Sequence, residues 1–395
     1  MENAFYTEPE EIADKPSLKV LGLGGGGSNA VNRMIESGVQ GVEYVVANTD
    51  RQALLASLAP VTIQLGPKTT RGMGAGGDPQ VGYRAAEESR ADLAAALDGA
   101  DMVFLTAGMG GGSGTGAIPI AAEIARSIGA VTIAIVTTPF SFEGKRRLNH
   151  AQEGLSWLRP NTDTLIAIPN DRLLYVAPKN VPLDVAFRLA DDVLRQSVQG
   201  IAELVTEPGV INVDFAHVRR MMQLGGGAFM AIGQGQGENK ASAAVDQALH
   251  HPLLESVALD DAAGVIVHFS GGEDLSLFEV GKALAHVQEM TGGDIDLVMG
   301  ITHDEMMQDR VQAILVITGL GAQSLEDVMN SSKRPRQRIK QTAAISVDAM
   351  AETQPVASSA EIVSFAPDVE FAPALADLDM PAFLRKRARE RNLAG

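Results

Sequence analysis

Glycine is concentrated in residues 107–116, where six of ten residues are glycine and a serine and a threonine stand between them. Because glycine has no Cβ and adopts positive φ, such a stretch can turn several backbone N–H groups toward one anion. The helix predicted over 117–128 would add the positive end of its dipole. We therefore predict a phosphate-binding loop formed by Gly110, Gly111, Gly112, Ser113, Gly114, Thr115 and Gly116, with both hydroxyls as donors. A flexible linker is disfavoured, because the stretch lies between a predicted strand and a predicted helix.

Two further glycine-rich loops, 22–29 and 71–79, follow predicted strands. The first matches G-x-G-x-x-G, which alone would predict a dinucleotide-binding fold, with Asp50 near the place of a dehydrogenase's ribose-binding acid. Three anion loops exceed what a pyrophosphate needs and suit a triphosphate with its cation. No G-x-x-x-x-G-K-[ST] motif occurs, so a P-loop is excluded. The residues that we expect to add to the phosphate site are Gly25, Gly26, Gly27, Ser28, Gly76 and Gly77.

Glu143 and Arg147 stand four residues apart, after the strand predicted over 130–138. A carboxylate at that place can accept hydrogen bonds from ribose hydroxyls, and a guanidinium can reach ribose or phosphate. The competing interpretation is an ordinary i,i+4 ion pair on the surface of a helix over 144–158.

Apolar residues recur at helical spacing from 182 to 206, which predicts one long helix. At about 1.5 Å per residue it would span about 35 Å, so it should run from the nucleotide face of a domain to the opposite face. Near its start, Phe187 can stack on a base, and the Asp191 carboxylate can accept from N1–H and N2–H of guanine together, a donor pair that adenine lacks. The alternative for Phe187 is core packing.

Asn212 and Asp214 lie in the segment 207–217, directly after the long helix. The length of that helix places them far from the phosphates of their own chain. They could act on a nucleotide only if a second subunit stacked against the first. Such a contact is head-to-tail, and head-to-tail contacts that do not close produce filaments.

The chain has 395 residues, a net charge of −17 and no cysteine. The charge argues against general binding to nucleic-acid backbones. The lack of cysteine excludes disulfides, thiolate metal sites and cysteine nucleophiles, and we predict no metal held by protein side chains alone. The start of the chain is acidic, and no apolar run is long enough to span a membrane, so we expect a soluble cytoplasmic protein.

Composition and periodicity divide the chain into six segments. We predict a disordered extension, an α/β nucleotide-binding domain with a parallel sheet, the long helix and an α+β C-terminal domain at 1–17, 18–181, 182–206 and 207–320. Residues 321–377 have the composition of a disordered linker. Residues 378–395 join an apolar knob to five basic residues, which is typical of a docking peptide, although a solvated tail is the alternative.

Taken together, the segments 24–29, 110–116, 139–147 and 212–216 resemble the FtsZ family of bacterial tubulin-like cell-division GTPases. The resemblance implies a GTP-binding domain joined by a long central helix to an α+β domain, and head-to-tail polymerisation into filaments at the division site. It implies GTP or GDP as ligand with a cation, Mg or K, and a membrane adaptor of the FtsA or SepF type as partner of the terminal peptide. The residues that it assigns to the nucleotide are Asn29, Glu143, Arg147, Asn170, Phe187 and Asp191.

Two residues depart from the family pattern in ways that concern hydrolysis. Asp78 stands where the family often has asparagine, which adds a negative charge near phosphate. His217 replaces the second aspartate of the catalytic loop, so the expected catalytic set is Asp214, Asn212 and His217. We therefore expect a filament-forming GTPase or, alternatively, a GTP-binding scaffold in which His217 impairs hydrolysis. A third interpretation is that His217 only packs at the head of the next helix.

Overall fold

The computed structural model describes residues 15–174, 182–206, 209, 211, 213–224, 227–251, 259, 262–292 and 295–320. Within them, the strands are β1 (Leu18–Leu23), β2 (Glu43–Asn48), β3 (Val61–Gln64), β4 (Met102–Gly108), β5 (Val131–Thr138), β6 (Thr164–Pro169), β7 (Gly227–Gln236), β8 (Gly264–Gly271), β9 (Asp296–His303) and β10 (Arg310–Leu320). The helices are α1 (Gly24–Glu36), α2 (Arg51–Leu55), α3 (Pro79–Glu88), α4 (Arg90–Leu97), α5 (Ser113–Ser127), α6 (Lys145–Leu158), α7 (Asn170–Leu173), α8 (Leu183–Thr206), α9 (Phe215–Met222), α10 (Lys240–Leu249) and α11 (Leu277–Met290). None of the helices described there has the length and apolarity needed to cross a membrane.

A single sheet runs through these residues in the order β3-β2-β1-β4-β5-β6-β7-β10-β8-β9. Strands β1 to β6 are parallel, so their carboxyl ends lie along one edge. The glycine loops after β1 and β4 therefore leave the sheet side by side, and the loop after β3 leaves the same edge. Ligands of open parallel sheets bind at this edge.

The C-terminal strands continue the same sheet with mixed directions. Strand β7 pairs with β6 in parallel through only two residue pairs, and β10 runs antiparallel to both β7 and β8. Strand β9 is parallel to β8, with α11 as the crossover. The α+β domain predicted from the sequence for 207–320 would have mainly antiparallel strands. The β8–β9 pair departs from it because a crossover helix permits parallel pairing.

Both faces of the sheet are buried, which is why the strand sequences read as nearly continuous apolar runs. On one face, Leu21 and Leu105 pack with α3, α5, α10 and α11. On the other face, Val20 and Phe104 pack with α1, α8 and α9. Successive residues of each strand therefore point into two different hydrophobic cores, one on each face of the sheet. Both cores help to fix the edge of the sheet from which the glycine loops leave.

Helix α8 has 24 residues and crosses the sheet from one end to the other. Near its start, the Phe187 ring contacts Phe140, which follows β5 at the loop edge. At its end, Thr206 lies against Gly41, which precedes β2, and Leu204 lies against Gly300 of β9. A helix of this length spans about 36 Å. Its two ends therefore lie at opposite edges of the sheet.

Two helices begin earlier than periodicity indicates. The sequence predicts the helix after the loop 107–116 from Ala117, but α5 begins at Ser113, and α1 begins at Gly24, so both start inside the glycine loops. Glycine is a poor helix former, so propensity hides these first turns, which packing against the sheet imposes. Helices α3 and α4 were missed altogether.

Candidate functional site

The glycine loops contact one another through their backbones. A Cβ added at Gly24 would lie 2.6 Å from the Gly114 nitrogen, and one at Gly112 would lie 2.9 Å from the Asp78 nitrogen. A Cβ at Gly110 would lie 2.6 Å from the Arg147 carbonyl oxygen. These distances are too short for any side chain. The loops after β1, β3 and β4, together with the start of α6, therefore form one assembly that depends on glycine.

Other glycines of the same loops face open space. A Cβ at Gly25, Gly76, Gly77 or Gly111 would have no atom within 4 Å. Gly76 and Gly77 have φ of +63° and +76°, a conformation that other residues rarely adopt. The assembly thus has an inner side closed by backbone contacts and an outer side where phosphate oxygens can approach N–H groups closely.

Two helix N-termini open into this assembly without a side-chain cap. The residues before α1 and α5, Leu23 and Gly112, make no side-chain capping hydrogen bond, so the first N–H groups of both helices stay available to an anion. Helix α3 is different, because the Asp78 carboxylate accepts from Gln80 N–H at 2.9 Å. This bond gives Asp78 a donor that partly offsets the charge noted in the sequence.

The hydroxyl side chains of these loops differ in their contacts: two hydrogen-bond within the loops, and a third is partly exposed. Thr115 is fully buried and its Oγ1 accepts from Gly110 N–H at 2.8 Å, while Ser28 donates to the Gly24 carbonyl at 2.7 Å. These two hydroxyls support the loops within the subunit, and their direct contact with phosphate stays a prediction. Gly116 is likewise structural, because a Cβ there would lie 2.1 Å from the Pro79 carbonyl oxygen. Ser113 is partly exposed, 2.5 Å from the Thr49 hydroxyl.

Glu143 and Arg147 form a short ion pair of 2.6 Å at the start of α6. The Glu143 side chain is 7% exposed and its other oxygen accepts from Phe140 N–H at 2.8 Å, so it is a fixed part of the loop. The Arg147 side chain is half exposed. The pair is thus more than the surface contact considered as its alternative, and the guanidinium can still reach a ligand.

Asp191 is held by a residue that the sequence did not single out. Arg33 Nε on α1 donates to its Oδ2 at 3.2 Å. Burial raises the pKa of Asp191 to about 6, although the guanidinium opposes the shift. The carboxyl is therefore mostly ionised at pH 7 and gains a proton as the pH falls through about 6. Donors such as guanine N1–H and N2–H would stabilise its ionised form.

Aromatic rings and an amide complete the edge beside Asp191. Phe187 is 38% exposed and meets Phe140 edge to face at 5.4 Å, and Phe142 stacks on Phe140 at 4.9 Å. Phe187 thus presents a ring surface and is not buried in the core. Asn170 is buried, and its Oδ1 has no hydrogen-bond partner in the described residues, which fits a ligand donor. Asn29 is exposed on the first turns of α1.

Asp214 and His217 lie at the other end of α8. Asp214 caps α9, its Oδ1 accepting from Ala216 N–H at 3.0 Å, and His217 is exposed in the first turn of that helix. Ile211 pairs with Ile301 of β9 beside them. Asn212 lies outside the described residues. The structure therefore brings the phosphate-loop candidates together and separates both described catalytic candidates from them.

The described residues contain no group of three or more His, Asp or Glu side chains that could hold a metal ion. Asp50, the candidate ribose acid of the dehydrogenase alternative, instead caps α2 by accepting from Gln52 N–H at 2.8 Å. The sequence does not single out Thr49, which contacts Ser113, or Arg33, which contacts Asp191, because a lone threonine or arginine outside a recognisable motif does not indicate a binding site.

Comparisons with known proteins agree with this geometry. The family model "Tubulin/FtsZ family, GTPase domain" matches residues 17–178, and "FtsZ family, C-terminal domain" matches residues 226–321. A structure of a point mutant of M. jannaschii FtsZ is 45% identical, with 78% of this chain and 92% of that chain covered and a TM-score of 0.74. An empty FtsZ dimer from M. jannaschii is 42% identical, with 84% and 96% covered and a TM-score of 0.75.

A GTPγS-bound protofilament of CetZ2 from Haloferax volcanii is 20% identical over 80% of this chain and 97% of that chain, with a TM-score of 0.68, and shares the fold. The chain belongs to the FtsZ family of tubulin-like GTPases. The resemblance and the tubulin-like fold class predicted from the sequence are thereby confirmed, as are GTP or GDP as ligand and GTPase as the class of enzyme. The dehydrogenase alternative is excluded.

Proposed function

We propose that this chain polymerises head-to-tail and that GTP is hydrolysed where Asp214 of one subunit meets the nucleotide of the next. The observation that carries the proposal is the separation of phosphate loops and Asp214 to opposite ends of α8. A single subunit cannot bring them together without refolding. A second copy, stacked in the same orientation, can.

Exposed apolar side chains at both ends support this stacking. Phe278 is 84% and Met306 is 82% exposed. They lie just beyond the carboxyl ends of β8 and β9, where Gly271 pairs with His303, and the catalytic loop pairs with the same β9 at Ile301. At the nucleotide end, Met73 is 78% and Phe142 is 58% exposed. A second subunit stacked on both ends would remove these apolar side chains from water, which favours association.

Each residue has one role in the proposed reaction. The open backbone of Gly25, Gly76, Gly77 and Gly111 and the N-termini of α1 and α5 hold the triphosphate, and Arg147 adds a positive charge. Phe187 and Asp191 bind the base, and Asn29 and Asn170 contact ribose or base.

Asp214, with Asn212 and His217, orients the attacking water from the neighbouring subunit. A Mg or K ion would neutralise charge on the phosphates.

Complementation tests the shared site. Asp214→Ala and Arg147→Ala chains should each hydrolyse GTP slowly, since each lacks one half of every interface. A mixture contains interfaces in which both halves are intact, so phosphate release should exceed the average of the two variants alone. Light scattering after GTP addition reports assembly in the same samples. Hydrolysis that never exceeds that average would remove the trans arrangement.

We also propose that the filament forms the division ring in the cytoplasm and that residues 378–395 bind a membrane adaptor of the FtsA or SepF type. The apolar knob followed by basic residues supports this role, although the segment lies outside the described residues. Deleting 378–395 should leave GTP-dependent assembly nearly unchanged in light scattering. Loss of polymerisation would show instead that the tail belongs to the filament.

A further inference from the structure

Helix α9, which carries Asp214 as its cap, is tied to two different parts of the molecule by consecutive arginines. Arg219 Nη2 donates to the Gly129 carbonyl oxygen at 2.8 Å, and Arg220 forms an ion pair with Asp296 of β9. Successive residues of an α-helix point about 100° apart, so the two guanidiniums leave α9 in different directions. The end of α9 is held separately, because Thr164 donates to the Met222 carbonyl at 2.6 Å.

Gly129 and Asp296, the partners of Arg219 and Arg220, connect α9 to the helix of the phosphate-binding assembly and to the strand that pairs with the catalytic loop. Gly129 forms the turn that ends α5, and α5 begins at Ser113 in the phosphate-binding assembly. Fifteen residues of α5 span about 22 Å. Asp296 begins β9, whose far end pairs with the catalytic loop at Ile301.

An eight-residue helix needs such anchors. Isolated helices of this length are not stable in water, so tertiary contacts decide where α9 stands. Val218, Met221 and Met222 fix its depth, because they are buried against the sheet. Apolar contacts resist rotation and sliding of a short helix less well than hydrogen bonds to fixed partners. The Gly129 carbonyl is such a partner, because its turn is closed by the Gly129 N–H to Arg126 carbonyl bond.

We propose that Arg219 is a positioning residue for hydrolysis, and that its bond to Gly129 sets the place of Asp214 relative to α5. This inference rests on the proposed role of Asp214. Asp214 follows α9 rigidly, because its carboxylate accepts from the first turn of that helix. One end of α5 thus helps to hold a subunit's own phosphates, and its other end places the carboxylate offered to the neighbour's phosphates.

Arg219→Ala tests the proposal, and Arg126→Ala is its matched control. Arg126 Nη1 donates to the Pro160 carbonyl at 2.7 Å, the same chemistry three residues before Gly129, without touching α9. A displacement of about 1 Å can cost up to about a hundredfold in rate, and loss of one anchor among several should cost about three- to tenfold. We expect that loss in kcat for Arg219→Ala, with GTP Kd and melting temperature equal to those of Arg126→Ala. Arg219→Lys should regain most of the rate, because its ammonium can still donate to the carbonyl.

A parallel Asp214→Ala measurement separates the two ideas. If Asp214→Ala keeps full turnover, the proposed function fails. If Asp214→Ala loses turnover and Arg219→Ala matches Arg126→Ala, the positioning role of Arg219 is overturned.

Amide hydrogen exchange covers the case in which turnover is too slow to compare. Amides of 215–222 should exchange at least about threefold faster in Arg219→Ala than in Arg126→Ala, with Arg219→Lys protected. Equal exchange in the two alanine variants would overturn the proposal, as would a Lys variant as poorly protected as Arg219→Ala.

Discussion

The two ends of α8 differ in how much of a site one subunit builds. At the nucleotide end, loops from three strands close against each other through backbone contacts, and two uncapped helices point into them. At the other end, the described candidates are Asp214, which caps an eight-residue helix, and His217 in the first turn of that helix, and both are exposed. This difference matches the proposed division of tasks, in which one subunit binds the nucleotide by itself and the catalytic end acts only on the nucleotide of a neighbouring subunit.

The largest effect on turnover should come from adding a second carboxylate at the end of α8 where Asp214 lies. His217→Asp would restore two carboxylates at the catalytic loop. Because one positioned group that orients water contributes about 10²–10⁴ in rate, turnover should rise about tenfold or more, with GTP binding unchanged. Phosphate release at saturating GTP measures this. Unchanged or lower turnover would show that the histidine is competent or irrelevant, and the impaired-scaffold alternative would then be dropped.

The next effect concerns the base at the nucleotide end. Asp191→Ala should weaken GTP binding by about 1–3 kcal/mol, because two guanine donors would lose their acceptor in a buried place. Equilibrium competition between GTP and ATP supplies the control. The unmutated protein should prefer GTP, and the variant should lose much of that preference. Equal binding of both nucleotides by the unmutated protein would remove Asp191 as the selective residue.

Substitutions at two adjacent glycines, Gly111 and Gly112, distinguish a glycine that supports the loop assembly from one that leaves room for phosphate. Gly112→Ala would place a methyl 2.8 Å from Ala75 Cβ, so it should lower the free energy of unfolding by about 1–3 kcal/mol. Gly111→Ala meets no atom within 4 Å and needs no positive φ, so stability should hardly change. Its methyl would instead occupy space beside the phosphates and weaken GTP binding about tenfold. Paired thermal melts and GTP titrations check both statements, and similar melting losses in the two variants would contradict the division into inner and outer sides.

The same comparison explains which features the sequence could predict. Glycine loops after strands are local patterns with a local physical cause, so residues 107–116 were enough to predict a phosphate-binding loop at the edge of the sheet. The length of α8 followed from periodicity and placed Asp214 at the far end. The roles of Ser28 and Thr115 could not be predicted, because a hydroxyl in a loop can face inward or outward and only packing decides. Arg33 and Arg219 were missed because their partners lie 158 and 90 residues away in the chain.

The smallest expected effect is a pH dependence at the nucleotide end. Burial raises the pKa of Asp191 to about 6 against the influence of Arg33, so in the free protein the carboxyl gains a proton as the pH falls through 6. Only the ionised form accepts both guanine donors, and lowering the pH from 7.5 to 5.5 reduces its fraction roughly fourfold. GTP affinity should therefore fall by about that factor beyond any change due to the nucleotide's own phosphates. Asp191→Asn supplies the control, because its amide does not titrate while the phosphates still do. The ratio of the two affinities, measured by calorimetry across this range, should change about fourfold. A constant ratio would mean that the carboxyl is already ionised at pH 5.5 or does not contact the base.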